Sequence, residues 1–81
     1  MNIYNKAITH FGPDHQLDKL IEEMSELTQA IIKARHNRHT NVDEEIADVQ
    51  ILLDQAKLIH PDWETWQTLK LKRLEKLINN V

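Results

Sequence analysis

The stretch DHQLDKLIEEMSELTQAIIKARH, residues 14–36, repeats apolar side chains at three- and four-residue intervals, with no glycine or proline to interrupt it. Leu17, Leu20, Ile21, Met24, Thr28 and Ile31 fall on one stripe of a 3.6-residue period, which predicts a long amphipathic helix. Pro13 and Asp14 suit its first turn, because proline needs no amide partner there and a carboxylate complements the helix dipole.

Working outward, one glycine and two prolines fall between periodic segments and divide the chain into helices. Ile3, Ala7, Ile8 and Phe11 mark a short first helix that Gly12 and Pro13 end. Asn41, followed three residues later by Glu44, has the form of a capping box opening a third helix, with Thr40 and Asp43 as the alternative register. That helix carries Val42, Ile46, Val49, Leu53 and Ala56 as its core stripe and stops near Ile59, since Pro61 disfavours helical geometry in the residue before it. Asp62 then caps a fourth helix, with Trp63, Trp66, Leu74, Leu77, Ile78 and Val81 on its inner side. Strand signals are missing. Four helices with short connections imply a single all-α domain over residues 1–81, a four-helix bundle with a short first helix.

At 81 residues such a domain buries only about 60% of its unfolded surface, so a metal, self-association or both are expected to support it. Without cysteine, disulfides are excluded, a reducing compartment fits, and a cytoplasmic location is expected. The first residues lack the pattern of a secretory signal, and no segment suits a membrane span. A net charge of −3 argues against nucleic-acid binding, which draws on a basic face.

The acids carry the chemistry. Glu23 and Glu26 stand three residues apart on the second helix, about 60° apart around its axis, so both reach one ion. Glu45 and Asp48 repeat that spacing on the third helix, flanking its apolar stripe. When two antiparallel helices pack through such stripes their flanks meet, and four carboxylates crowd together. Their mutual repulsion raises each pKa unless a hard cation compensates, and an all-carboxylate ligand set points to Mg²⁺ or Mn²⁺. For any one pair of acids alone, a solvated helix face is the simpler reading. Lys70 interrupts the apolar stripe of the fourth helix, so it faces an anion, either the acids or a phosphate, or else snorkels its charge to solvent.

Read as Glu22-Glu23-x-x-Glu26 and then Glu45-x-x-Asp48, these residues resemble the motif of the MazG-like all-α nucleoside triphosphate pyrophosphohydrolases. The likeness extends to a lead into the motif containing Gln16, the Leu-Thr-Gln-Ala-Ile run at 27–31, and Lys70-Leu71-Lys72-Arg73-Leu74. The resemblance implies that Glu23, Glu26, Glu45 and Asp48 hold Mg²⁺. Glu22 then orients or deprotonates the attacking water, Glu23 and Lys70 also serve catalysis, and Lys70 with Arg73 contacts substrate phosphates. It further implies hydrolysis of a nucleoside triphosphate to monophosphate and pyrophosphate, and a homodimer or homotetramer. Ile51 and Leu58, opposite the core stripe of the third helix, offer an apolar patch for such association. The chain departs from longer relatives in its short loops, which leave little to close over a base.

Other features are weaker. His36 and His39 sit in a polar turn with no His-Glu-x-x-His pattern, so they read as surface residues. Asp48 stands where a di-iron bundle would need histidine after Glu45. Lys33, Arg35 and Arg38 form a basic turn that either attracts polyphosphate or complements its own helix end. Trp63 and Trp66 read as core rather than as a base-stacking pair. No glycine-rich phosphate loop is present, so a metal must take that role. Two readings compete with the enzyme: a non-catalytic module that binds metal and nucleotide, and a structural oligomerisation bundle with solvated acids.

Overall fold

The computed structural model describes residues 2–36 and 40–80, and Arg38, His39 and Val81 lie outside them. It contains four helices, α1 (Ile3–Phe11), α2 (Pro13–Arg35), α3 (Val42–Ile59) and α4 (Trp63–Asn79), and no strand among the described residues. The side chain of Asn2 accepts the Asn5 amide at 2.9 Å and starts α1. Gly12 ends α1 with φ at +94°, its N–H donating to the Ile8 carbonyl at 2.8 Å. A side chain at Gly12 would meet open space, so what reserves the position for glycine is its positive φ. Pro13 then opens α2 directly, and a single residue forms the corner.

The helices α2 and α3 make the principal packing unit, with α1 laid against both. Their seam is turned from the apolar stripes that the sequence suggests. On α2 the buried residues are Gln16, Leu20 and Ala30, and on α3 they are Glu45, Leu52 and Gln55. Of the expected stripes, Leu20 is buried and Leu17, Val42, Val49 and Ala56 are half-buried, but Ile21 is 62% exposed and Ile46 49%. Met24, Ile31 and Leu53 are also exposed. The seam lies roughly 100° around α2 from the Ile21, Met24, Ile31 line, at about 100° per residue. Polar side chains explain the offset. Gln16, Glu23, Glu45, Asp48 and Gln55 all turn inward or toward the seam, and hydrophobic periodicity cannot register a seam that is half polar.

The inward amides are matched. Gln16 Nε2 donates to Gln55 Oε1 at 2.7 Å, Gln55 Nε2 reaches the Ile51 carbonyl at 3.3 Å, and His15 Nδ1 lies 2.8 Å from Gln16 Oε1. Such pairing removes the penalty of burying them. At the other end of the hairpin, Thr40 Oγ1 donates to the Ala30 carbonyl at 2.9 Å. Asn41 occupies the N-cap position of α3, yet its side chain caps no amide. Instead Asn41 Nδ2 donates to Glu45 Oε1 at 3.0 Å. The expected capping box gives way because a buried carboxylate gains more from a donor than helix amides that water can serve.

The fourth helix stands apart. It has no buried residue and lays no packed face against the other three. Asp62 sits at its N-cap without a side-chain hydrogen bond. Trp63 is half-buried, with Lys57 Nζ 4.5 Å from its ring centroid, but Trp66, Leu74, Leu77 and Ile78, expected on an inner side, are exposed. The radius of gyration is 15.8 Å, where a compact chain of this length has about 12 Å. Within one chain, then, three helices pack and the fourth projects. No helix among the described residues is long and apolar enough to cross a membrane.

Candidate metal centre

The offset seam places acids where they meet. Glu23 on α2 and Glu45 and Asp48 on α3 each bring one carboxylate oxygen within 4.8 Å of the others. Glu45 is only 9% exposed, and Glu23 and Asp48 are half-buried. Asn41 satisfies one oxygen of Glu45, whereas Oε2 of Glu45 and Oε2 of Glu23 are buried without a hydrogen-bond partner.

The electrostatics follow from that arrangement. Burial raises the Glu23 pKa above its ordinary value, and Glu26, Asp48 and Glu45 push in the same direction. Glu45 is raised first by burial and then by Glu26, Asp48 and Glu44, while the bond from Asn41 opposes the shift. Lysine or arginine makes no ion pair with either carboxylate among the described residues. The donor set therefore fits a hard divalent cation: carboxylate oxygens only, spaced to grip an ion with metal–oxygen distances of about 2.1–2.4 Å, and two buried oxygens lacking any other partner.

The remaining sequence candidates are distributed around this triad. Glu26, outside the converging oxygens, is exposed and shares a depression of about 200 Å³ with Lys33, Asn41 and Glu45. Lys33 of the basic turn thus stands beside the acids, whereas Arg35 and His36 border a separate depression with Ile32. Glu22 points to solvent and pairs with Lys19 at 3.4 Å. Lys70 and Arg73, on the projecting α4, are exposed and bonded to none of the acids. Trp66 shares an open depression with Ile59, Pro61 and Trp63 at the α3–α4 junction, away from the acids.

Sequence reasoning missed a recess of about 370 Å³ on the α1 side of the seam, whose lining includes Phe11, His15, Lys19, Leu52, Glu23 and Asp48. The Phe11 and His15 rings stack with centroids 5.3 Å apart. Ile51, expected on an association patch, lines the same recess, while Leu58 is exposed. The only sequence signal for the recess is the corner at Gly12, which swings α1 back over α2 and α3. Compared with known protein families, curated proteins and solved structures, the chain matches none.

Proposed function

We propose that this chain is a divalent-metal-dependent hydrolase of nucleoside triphosphates, releasing monophosphate and pyrophosphate. The observation that carries the reading is the buried, unpartnered oxygen of Glu45 facing Glu23 and Asp48. A buried carboxylate oxygen with no donor is costly, and a cation held by all three acids removes that cost. The sequence resemblance adds the substrate class. The recess on the α1 side shares Glu23 and Asp48 with the acid cluster, so a ligand whose phosphates reach the acids has room beside Phe11 and Leu52 for its remaining, less polar part.

In this scheme Glu23, Glu45 and Asp48 hold Mg²⁺ or Mn²⁺, and Glu26 approaches from the adjoining turn. A bound divalent cation neutralises phosphate oxygens and lowers the pKa of water. Glu22 projects from the helix side that carries Glu26, and once released from Lys19 it takes the proton of the attacking water. Lys19 and Lys33, which border the two depressions beside the acids, are then placed to meet phosphate oxygens from either side. Lys70 and Arg73 join them only where α4 of some chain is brought over the hairpin.

The test is pyrophosphate release from a panel of triphosphates, including modified bases, with Mg²⁺ or Mn²⁺ present. Glu45→Gln is expected to lower kcat/KM by more than about a hundredfold, since even residues that merely orient metal ligands are worth about 10–100-fold. Absence of hydrolysis across the panel would remove the enzyme reading. Tight metal-dependent nucleotide binding without products would identify a binding module instead.

A further inference from the structure

We propose that Asn41 is a positioning residue for the metal centre: its amide occupies one oxygen of Glu45, so that Glu45 grips an ion through the other alone, and the site thereby favours a small octahedral cation over Ca²⁺. The proposal rests on the metal-binding part of the function proposed above and is separate from hydrolysis. Asn41 holds Glu45 at both ends. The Asn41 carbonyl accepts the Glu45 N–H at 3.0 Å, and Asn41 Nδ2 donates to Glu45 Oε1, also at 3.0 Å. Glu45 is only 9% exposed, and its second oxygen, Oε2, is buried without a partner. One oxygen is therefore taken and the other is left for a ligand.

The backbone that carries Asn41 is itself fastened. Thr40 Oγ1 donates to the Ala30 carbonyl at 2.9 Å, which ties the residue before Asn41 to α2, the helix that supplies Glu23. The clasp thus sets Glu45 against α2 as well as within α3. Asn41 gives up a role to form it. At the N-cap of a helix an asparagine ordinarily accepts an amide hydrogen of that helix, and here its side chain accepts none. The neutral donor also matters. Lys33 borders the same depression as Asn41 and Glu45, yet among the described residues it forms no ion pair with Glu45. An ammonium in that place would neutralise the carboxylate and compete with a metal, whereas an amide fixes its orientation and leaves its charge available.

An engaged Oε1 limits how Glu45 binds. Ca²⁺ takes about six to eight oxygens and readily accepts both oxygens of one carboxylate, whereas Mg²⁺ demands near-octahedral geometry and keeps several waters. With Oε1 held by Asn41, Glu45 contributes a single oxygen to the cluster, where one oxygen each from Glu23, Glu45 and Asp48 lie within 4.8 Å of one another. Such a set suits an ion content with few protein oxygens and leaves Ca²⁺ short of donors. Freeing Oε1 would remove that handicap.

Asn41→Ser on the full chain is the test, because serine caps a helix as well as asparagine does but its shorter side chain does not reach Glu45 Oε1. Mn²⁺ binding without nucleotide, followed by loss of the free-ion electron paramagnetic resonance signal, is expected to weaken about 10–100-fold, the usual effect of removing a group that orients a metal ligand. Ca²⁺, measured by competition with Mn²⁺, is expected to lose less, so the preference for Mn²⁺ narrows. The melting temperature in EDTA is expected to stay at or above that of the parent, which a merely structural loss would not allow. Asn41→Asp, isosteric and a good N-cap but without a donor, is expected to narrow the preference as well, and this readout stands if the serine variant folds poorly. Variants with unchanged Mn²⁺ affinity, or with equal losses for the two ions, would overturn the proposal while leaving the metal centre and the hydrolase reading in place. A parent that binds no Mn²⁺ would overturn the metal centre and the proposal together.

Discussion

The two sides of the α2–α3 hairpin use amphipathic helices in opposite ways. Toward α1 the seam turns in Gln16, Glu23, Glu45, Asp48 and Gln55, amides paired and carboxylates crowded. Away from α1 the same helices present Ile21, Met24, Ile31, Ile46 and Leu53 to solvent. In a larger domain the apolar side would be the interior and the polar side the surface. Here the single chain closes around polarity, and the apolar side, like that of α4, is left exposed. The buried seam and the exposed apolar side thus occupy different faces of one helix pair, and neighbouring residues should answer differently to substitution.

Leu20 and Ile21 give the largest contrast. Leu20 is 8% exposed at the seam, so Leu20→Ala is expected to cost about 2–3 kcal/mol by cavity formation, whatever the protein concentration. Ile21, one residue along, is expected to contribute only where chains associate. The melting temperature of Ile21→Ala should converge on that of the parent as protein is diluted, whereas the Leu20→Ala deficit persists. A concentration-independent loss at Ile21 would erase the distinction between the faces.

A smaller effect tests whether the polar seam is matched rather than merely tolerated. Gln55→Met removes the acceptor of Gln16 Nε2 and leaves a buried amide unpaired, at an expected cost of about 1–3 kcal/mol. Adding Gln16→Met replaces both partners with apolar groups of similar shape, and the double variant should recover most of that loss in urea denaturation. If the two single losses simply add, the amide bond does not couple the helices.

These contrasts also mark what the sequence reveals and what it conceals. Gly12, Pro13 and Pro61 expose the helix boundaries because they act locally, through φ and a missing donor. The convergence of Glu23 with Glu45 and Asp48 was legible from the three-residue spacings and an antiparallel pair. The phase of the seam was not, because periodicity finds where apolar residues lie without telling which of them a partner covers. For the same reason Trp66 and Leu74 read as interior to the chain although they face outward. The recess beside Phe11 was invisible because it depends on the angle at one glycine.

The finest test concerns pH, and its sign separates a metal site from a solvated acidic face. Glu23 and Glu45 have folded-state pKa values above the ordinary 4.5, chiefly from burial and then from neighbouring acids. Between 4.5 and those raised values the folded state holds more protons than the unfolded one, so stability must fall as pH rises through that window. In EDTA the melting temperature is therefore expected to decline upward from about pH 4.5, while Glu45→Gln, which cannot ionise, flattens the decline. With millimolar Mg²⁺ the trend should reverse, because the cation competes with protons for the same oxygens and binds better as they leave. Acids facing bulk water would show neither the decline nor the reversal, and identical profiles in EDTA and Mg²⁺ would leave the buried oxygen of Glu45 without the partner inferred for it.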